Sequence, residues 1–167
     1  MVDSLQIIHR VIEEHHRIRE NIQLAGAAIN DMEGLFSLQR SYAGWTQSSL
    51  ESLADKLKQL QQIIGSLNEG LQRHFSFEEA ALPPLFGDSL MRALIFEHNQ
   101  VRNRIGEVKL TLADTHLEGL KQEEMLSRKS HLQELINNAC QTVSEHAAHE
   151  EIILNMIART LEQEQKS

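Results

Sequence analysis

A chain of 167 residues, with 41% hydrophobic, 24% charged and 4% aromatic residues, is long enough to hold a core without disulfides, and one domain over residues 1–167 is expected. Lysine and arginine number 16 against 24 acidic residues, and the formal charge of -8 repels phosphate backbones and anionic lipid, so neither nucleic acid nor a membrane is expected as a partner. MVDSLQIIHR has no signal-peptide core, no run nears the ~20 apolar residues of a membrane span, and the lone Cys140 cannot form an internal bridge; the cytoplasm is the expected location.

Residues 3–32 carry Ile8, Val11, Ile18, Ile22, Ala25 and Ile29 at helical spacing. Residues 33–47, with Tyr42 and Trp45, break the rhythm and read as a loop. A second helix is expected over 48–82, opened by a capping box at Ser48 and Glu51, lined by Leu50 to Leu71, and closed by Pro83 and Pro84. A third, over 89–113 behind Asp88-Ser89, carries Met91, Leu94, Val101, Ile105 and Val108. A fourth, over 117–163, opens at Thr115 with Glu118 and runs through Leu132, Ile136, Ala139, Val143, Ile153 and Ile157. Four amphipathic helices joined by short connections describe an all-α, antiparallel up-down four-helix bundle.

Each seam has gaps where an apolar residue is due, and the gaps hold His15, His74, Glu78, His98, His146 and Glu150. Polar groups on a bundle axis are costly unless compensated, and a cation compensates them. His-x-x-x-Glu places an imidazole and a carboxylate on one helix face, so His74 with Glu78, and His146 with Glu150, can address the same ion or ion pair.

The chain also repeats itself: Glu14-His15-x-x-Ile18-Arg19 matches Glu97-His98-x-x-Val101-Arg102, and His74-x-x-x-Glu78-Glu79 matches His146-x-x-x-Glu150-Glu151. Two hairpins meeting about a pseudo-twofold axis fit a pair of metals better than one ion. Imidazole with carboxylate suits iron, and zinc or manganese equally by ligand type.

This ordered set resembles the hemerythrin-like, or HHE, cation-binding family over nearly the whole chain. The resemblance implies a four-helix bundle with a non-haem di-iron centre, in which His15, His74, His98 and His146 are terminal ligands and Glu78 and Glu150 are bridging carboxylates. Open positions would remain for an oxo or hydroxo bridge and a small ligand such as oxygen, nitric oxide or hydrogen peroxide. The oxygen carriers of the family have His-x-x-x-His on their third helix, whereas Arg102 stands four residues after His98; their last carboxylate is an Asp five residues after its His, whereas Glu150 follows His146 by four. Both differences resemble the branch containing iron-sulfur-cluster repair proteins, although those carry an N-terminal cysteine segment and Cys140 falls in the fourth helix. An alternative is a sensing or iron-handling module that acts through a protein partner. No residue is assigned to catalysis; an enzyme of this kind would be a di-iron oxidoreductase.

His9 and His16 lie one step off the His15 seam and are expected outside the ligand set. Glu13-x-x-His16 is half of a ferritin-like motif without its second half. His149, three residues after His146, borders the same seam and is expected to back the ligands or line a channel to them, with ligation as the alternative; Glu151 would replace Glu150 if the fourth helix were rotated, and the phase of Ile153 and Ile157 favours Glu150. Phe75, Phe77 and Phe96 are expected in the core, Met32, Met91, Met125 and Met156 in the core or at its boundary, and Cys140 as an inert thiol.

Overall fold

Ile8, Val11, His15, Ile18, Ala25, Ile29, Met32 and Phe36 are all buried, one stripe at spacings of three, four and seven, and they turn a single face of α1 (Ser4–Ser41) inward. In the computed structural model, which describes residues 3–41, 45–116 and 120–167, three further helices do the same: α2 (Gln47–Ala81), α3 (Pro83–Asp114) and α4 (Gln122–Lys166). The described residues contain no strand.

The helices form a square in which α1 packs on α2 and α4, and α3 packs on α2 and α4. Neighbours run in opposite directions: along α1 and α2, Asp31 meets Lys56 at 3.1 Å and Glu14 meets His74 at 2.9 Å. The architecture is the antiparallel up-down four-helix bundle expected from the sequence.

The core is divided. One cluster runs from Ile18, Leu71, Phe75, Val101 and Val143 along the long arm of the bundle. A shorter one, with Ile8, Val11, Leu82, Phe86, Leu94 and Leu154, closes the other end. Each fully buried aliphatic side chain contributes about 1.5–3 kcal/mol by leaving water, so both clusters are strong enough to fix the helices around whatever lies between them. What lies between them is the polar layer.

Several helix limits differ from expectation. α1 continues to Ser41 because Met32 and Phe36 extend its buried stripe past Gly34, and core contact outweighs the weak helix preference of Gly. Residues 42–44 of the expected loop, and 117–119 at the expected start of the fourth helix, lie outside the described residues. The cap of α2 is Thr46, whose hydroxyl accepts from the Ser49 backbone N–H at 3.1 Å, in place of the Ser48 box. Pro83 and Pro84 end α2 and also open α3, since the first turn of a helix needs no N–H from them. α3 therefore starts before Asp88 and bends at Gly87, whose φ of 75° favours a residue without a Cβ. Thr115 closes α3, and α4 begins at Gln122. On α4 it is Leu154 that is fully buried, with Ile153 and Ile157 half-buried. Phe96 is 65% exposed and Met156 64% exposed, against the core or boundary expected for them, and Phe77 is half-buried. Phe75 is buried as expected.

Candidate metal centre

His15, His74, Glu78, His98, His146 and Glu150 are all buried, one or two from each helix, at one level of the bundle. The helical repeat does this: His15 is four residues from Val11 and three from Ile18, and His98 stands in the same relation to Leu94 and Val101. Their donor atoms fall into two groups, His15 with His74, Glu78 and Glu150, and His98 with His146, Glu78 and Glu150; within each group all lie within 4.8 Å of one another.

The two carboxylates belong to both groups, one oxygen to each. Glu78 Oε1 lies 2.5 Å from His74 Nε2 and 3.6 Å from His15 Nε2, while its Oε2 lies 2.9 Å from His98 Nε2. Glu150 Oε1 lies 3.3 Å from His15 Nε2, and its Oε2 lies 3.1 Å from His146 Nε2. The imidazole pairs are matched as well, with ring centroids 4.8 Å apart for His15 and His74 and 4.9 Å for His98 and His146.

Despite this crowding, the four Nε2 atoms and all four carboxylate oxygens lack a hydrogen-bond partner of acceptable geometry. A buried polar atom left so costs about 1–3 kcal/mol, and this layer collects eight of them between two apolar clusters. Neutral imidazole nitrogens and carboxylate oxygens converging without partners are a donor set suited to divalent or trivalent cations of intermediate hardness.

The outward nitrogens explain the orientation. Each Nδ1 donates to a carboxylate on a neighbouring helix: His15 to Glu151 at 3.1 Å, His74 to Glu14 at 2.9 Å, His98 to Glu79 at 2.8 Å and His146 to Glu97 at 2.7 Å. That bond places the proton on Nδ1 and turns the Nε2 lone pair inward, as in carboxylate–histidine–metal arrangements. Arg19 forks onto Glu151 at 2.8 and 2.9 Å, and Arg102 reaches Glu79 at 3.1 Å. These contacts obey the internal repeat pair by pair.

Electrostatics follow the burial. Glu78 is pushed up to about 10, first by desolvation and then by the facing Glu150 carboxylate. Desolvation opposes ionisation of Glu150 too, but the neighbouring Glu78 carboxyl and the imidazoles of His146 and His15 hold it low, so the two buried carboxyls are driven in opposite directions. Desolvation, opposed by Glu79, takes His98 down to about 4. For His15 and His146 desolvation is overcome by Glu150, with help from Glu78 and Glu97 respectively, and both are raised. Glu79, Glu97 and Glu151 resist desolvation through their imidazole and guanidinium partners and are lowered.

All six expected site residues thus converge, and Glu151 sits outside the convergent group, bonded to His15 and Arg19. His149 lies beside the ligands, 62% exposed, donating to Glu97 at 3.2 Å. Neither His9 nor His16 joins the two groups, and both are exposed. Cys140 is half-buried, and desolvation pushes its thiol up to about 11, which leaves it protonated and unreactive at neutral pH. The outer residues Glu14, Glu79, Glu97, Arg19 and Arg102 are not expected in the site from the sequence, and Glu151 only as a replacement ligand, although all six recur in the sequence repeat.

The family model for the hemerythrin HHE cation binding domain matches residues 6–157. No curated protein and no solved structure matches the chain. No helix among the described residues is long and apolar enough to cross a membrane.

Proposed function

The chain belongs to the hemerythrin HHE cation-binding family and is a metal-binding four-helix bundle, and from that premise we propose that it holds two irons and binds or reacts with a small diatomic or peroxide ligand. His15 and His74 would hold one ion, His98 and His146 the other, and Glu78 and Glu150 would each give one oxygen to both. The single observation that carries this reading is the set of eight inward, unpartnered donor atoms split evenly between two groups that share both carboxylates. Two groups of two imidazoles and two carboxylate oxygens favour a pair of ions over one. Zinc and manganese fit the same donors, and iron is favoured by the family resemblance.

An iron pair would supply redox electrons and open coordination positions for oxygen, nitric oxide or peroxide. The chain's own contribution is orientation and exclusion of water. The four Nδ1–carboxylate bonds hold the imidazoles in one tautomer, and the two apolar clusters above and below keep bulk water from the layer. Phe75 stacks on His98 with centroids 4.0 Å apart and meets His146 edge-on at 5.7 Å, which restrains that imidazole pair.

The test is elemental analysis of protein purified from iron-supplemented cells, with absorption spectra before and after reduction and addition of nitric oxide. About two irons per chain with charge-transfer bands that respond to nitric oxide is the expected result, given two donor groups of this chemistry. Absence of stoichiometric metal would overturn the reading.

A further inference from the structure

The two halves of the centre repeat each other, so the places where they differ are informative. Four carboxylates back the four imidazoles, and three of them carry a guanidinium: Glu151 with Arg19, Glu79 with Arg102 at 3.1 Å, and Glu14 with Arg10 at 3.3 Å. Glu97 is the exception. Among the described residues its side-chain partners are imidazoles alone, His146 at 2.7 Å through Oε2 and His149 at 3.2 Å through Oε1.

The repeat shows what has been exchanged. Glu97 corresponds to Glu14, and the residue four before it is Ala93 where Arg10 precedes Glu14. His149, three after His146, takes the place of Phe77, three after His74. On the first wing the Arg10 guanidinium lies 3.6 Å above the Phe77 ring and beside Glu14, so a positive group and a phenyl ring cover the outer carboxylate. On the second wing both are gone, and a 62% exposed imidazole stands against Glu97 instead.

A divalent cation approaching from solvent meets these wings differently. Arg10 repels it at Glu14, and Arg19 and Arg102 do the same at Glu151 and Glu79. At Glu97 no guanidinium or ammonium pairs with the carboxylate among the described residues. The Glu97 Oε1 and His149 Nδ1 atoms are 3.2 Å apart, close to the separation of two donors that share one ion at about 2.0–2.2 Å each. The other oxygen of the same carboxylate already touches the His146 ring, whose Nε2 faces Glu150.

We propose that His149 and Glu97 form a transient capture site for a divalent metal ion, through which the ions of the buried centre are taken up and released. The proposal rests on the metal-centre reading above. The pair collects the ion at the surface as the His149 proton passes from Nδ1 through water to Nε2, which frees Nδ1 to ligate; the ion begins to lose its water there and is handed to the donors behind His146. On the other wing Arg10 and Phe77 cover the matching position.

The test is stopped-flow mixing of metal-free protein with Co(II), whose absorption reports ligation, followed by release to excess chelator. His149→Phe is expected to slow both uptake and release by roughly tenfold while final stoichiometry and affinity stay near wild type, because a capture site changes the rate in both directions. His131→Ala, which removes an exposed imidazole elsewhere on α4, is expected to change neither. Adding Arg10→Ala with Phe77→His to the His149→Phe protein builds the same pair on the other wing, and should restore the rate. Uptake at the wild-type rate in His149→Phe, or release that becomes faster instead of slower, would overturn the capture site. Wild-type protein that takes up no Co(II) would instead overturn the metal centre, and the route with it.

Discussion

The carboxylate of Glu151, in the second half of α4, lies 3.1 Å from Nδ1 of His15, in the first half of α1, and Arg19 holds the same carboxylate by two hydrogen bonds. The first and last helices are thus tied together through the back of a donor imidazole. Their repeat mates, Glu79 with His98 and Arg102, tie α2 to α3 in the same way. Orientation of the inward nitrogens is therefore a property of the bundle's helix pairing, and it should respond to changes made outside the donor set.

Arg19→Met tests that dependence. It leaves all six donors in place and removes the fork that fixes Glu151, so metal affinity measured by chelator competition is expected to fall, by less than the roughly 10–100-fold that losing the Glu151–His15 bond itself would cost. The fold should persist, since Arg19 is partly exposed. Affinity equal to wild type would show that Glu151 holds His15 without help.

Metal binding should release protons. Glu78 is pushed up to about 10 by burial and by Glu150, and so is protonated at neutral pH without a cation, whereas a ligating carboxylate must be ionised. Calorimetry of metal binding at about pH 7.5, in buffers of different ionisation enthalpy, should report about one proton or more released per chain. A heat independent of the buffer would contradict this.

The pH dependence of stability has opposing signs in the metal-free protein. His15 and His146, raised above 6.5, stabilise the fold fully below that value and lose the contribution as pH rises through their folded values. His98, lowered to about 4, costs stability as pH falls from 6.5 to about 4, because the unfolded chain takes up a proton that the folded one does not. Ligation demands neutral imidazole at all of them, so the rise in Tm produced by metal should shrink as pH falls below about 7. A metal-induced rise as large at about pH 5.5 as at pH 7.5 would count against imidazole ligation.

Most of the centre was legible because a polar residue on an apolar seam is conspicuous at fixed helical spacing. His15 between Val11 and Ile18 needs no partner helix to be noticed. The outer carboxylates are different: Glu14, Glu79, Glu97 and Glu151 each adjoin a donor in sequence, yet each serves an imidazole on another helix, and pairing of that kind appears only when the helices are assembled. Glu150, not Glu151, lies in the convergent groups, and the phase of α4 that turns it inward is marked by the fully buried Leu154, whereas Ile153 is only half-buried. Helix limits were hidden where tertiary contact overrides a local signal. Gly34 and the aromatic cluster read as a loop until Phe36 is seen in the core, and Pro83-Pro84 marks a start as readily as a stop.

Two glycines should respond oppositely to alanine. Gly34 is exposed inside α1, with nothing within 4 Å of an added Cβ, so Gly34→Ala is expected to raise stability by about 0.5–1 kcal/mol. Gly87 has equal space but a φ of 75°, and Gly87→Ala should cost about 1–2 kcal/mol by straining the bend at the start of α3. Denaturant midpoints of the two variants measure both. Stabilisation at Gly87 would mean that the bend relaxes to ordinary helix without loss.

The strongest test of what the polar layer is for removes half of it. The inward Nε2 atoms of His74 and His146 and both oxygens of Glu78 lie between two apolar clusters without hydrogen-bond partners, so without a cation they are a burden on the fold. Replacing all three residues by Leu leaves His15, His98 and Glu150 between the clusters, with His15 still 3.3 Å from Glu150. Buried ionic groups exchanged for apolar ones of similar size leave stability unchanged or raise it by about 1–4 kcal/mol, and the metal-free triple variant should melt no lower than metal-free wild type. It should also bind no stoichiometric metal, while wild type gains stability with metal concentration as any ligand of the folded state requires. A triple variant that still binds two ions per chain would show that the donors are elsewhere. One that melts far below the metal-free wild type would show that these side chains hold the bundle together by themselves.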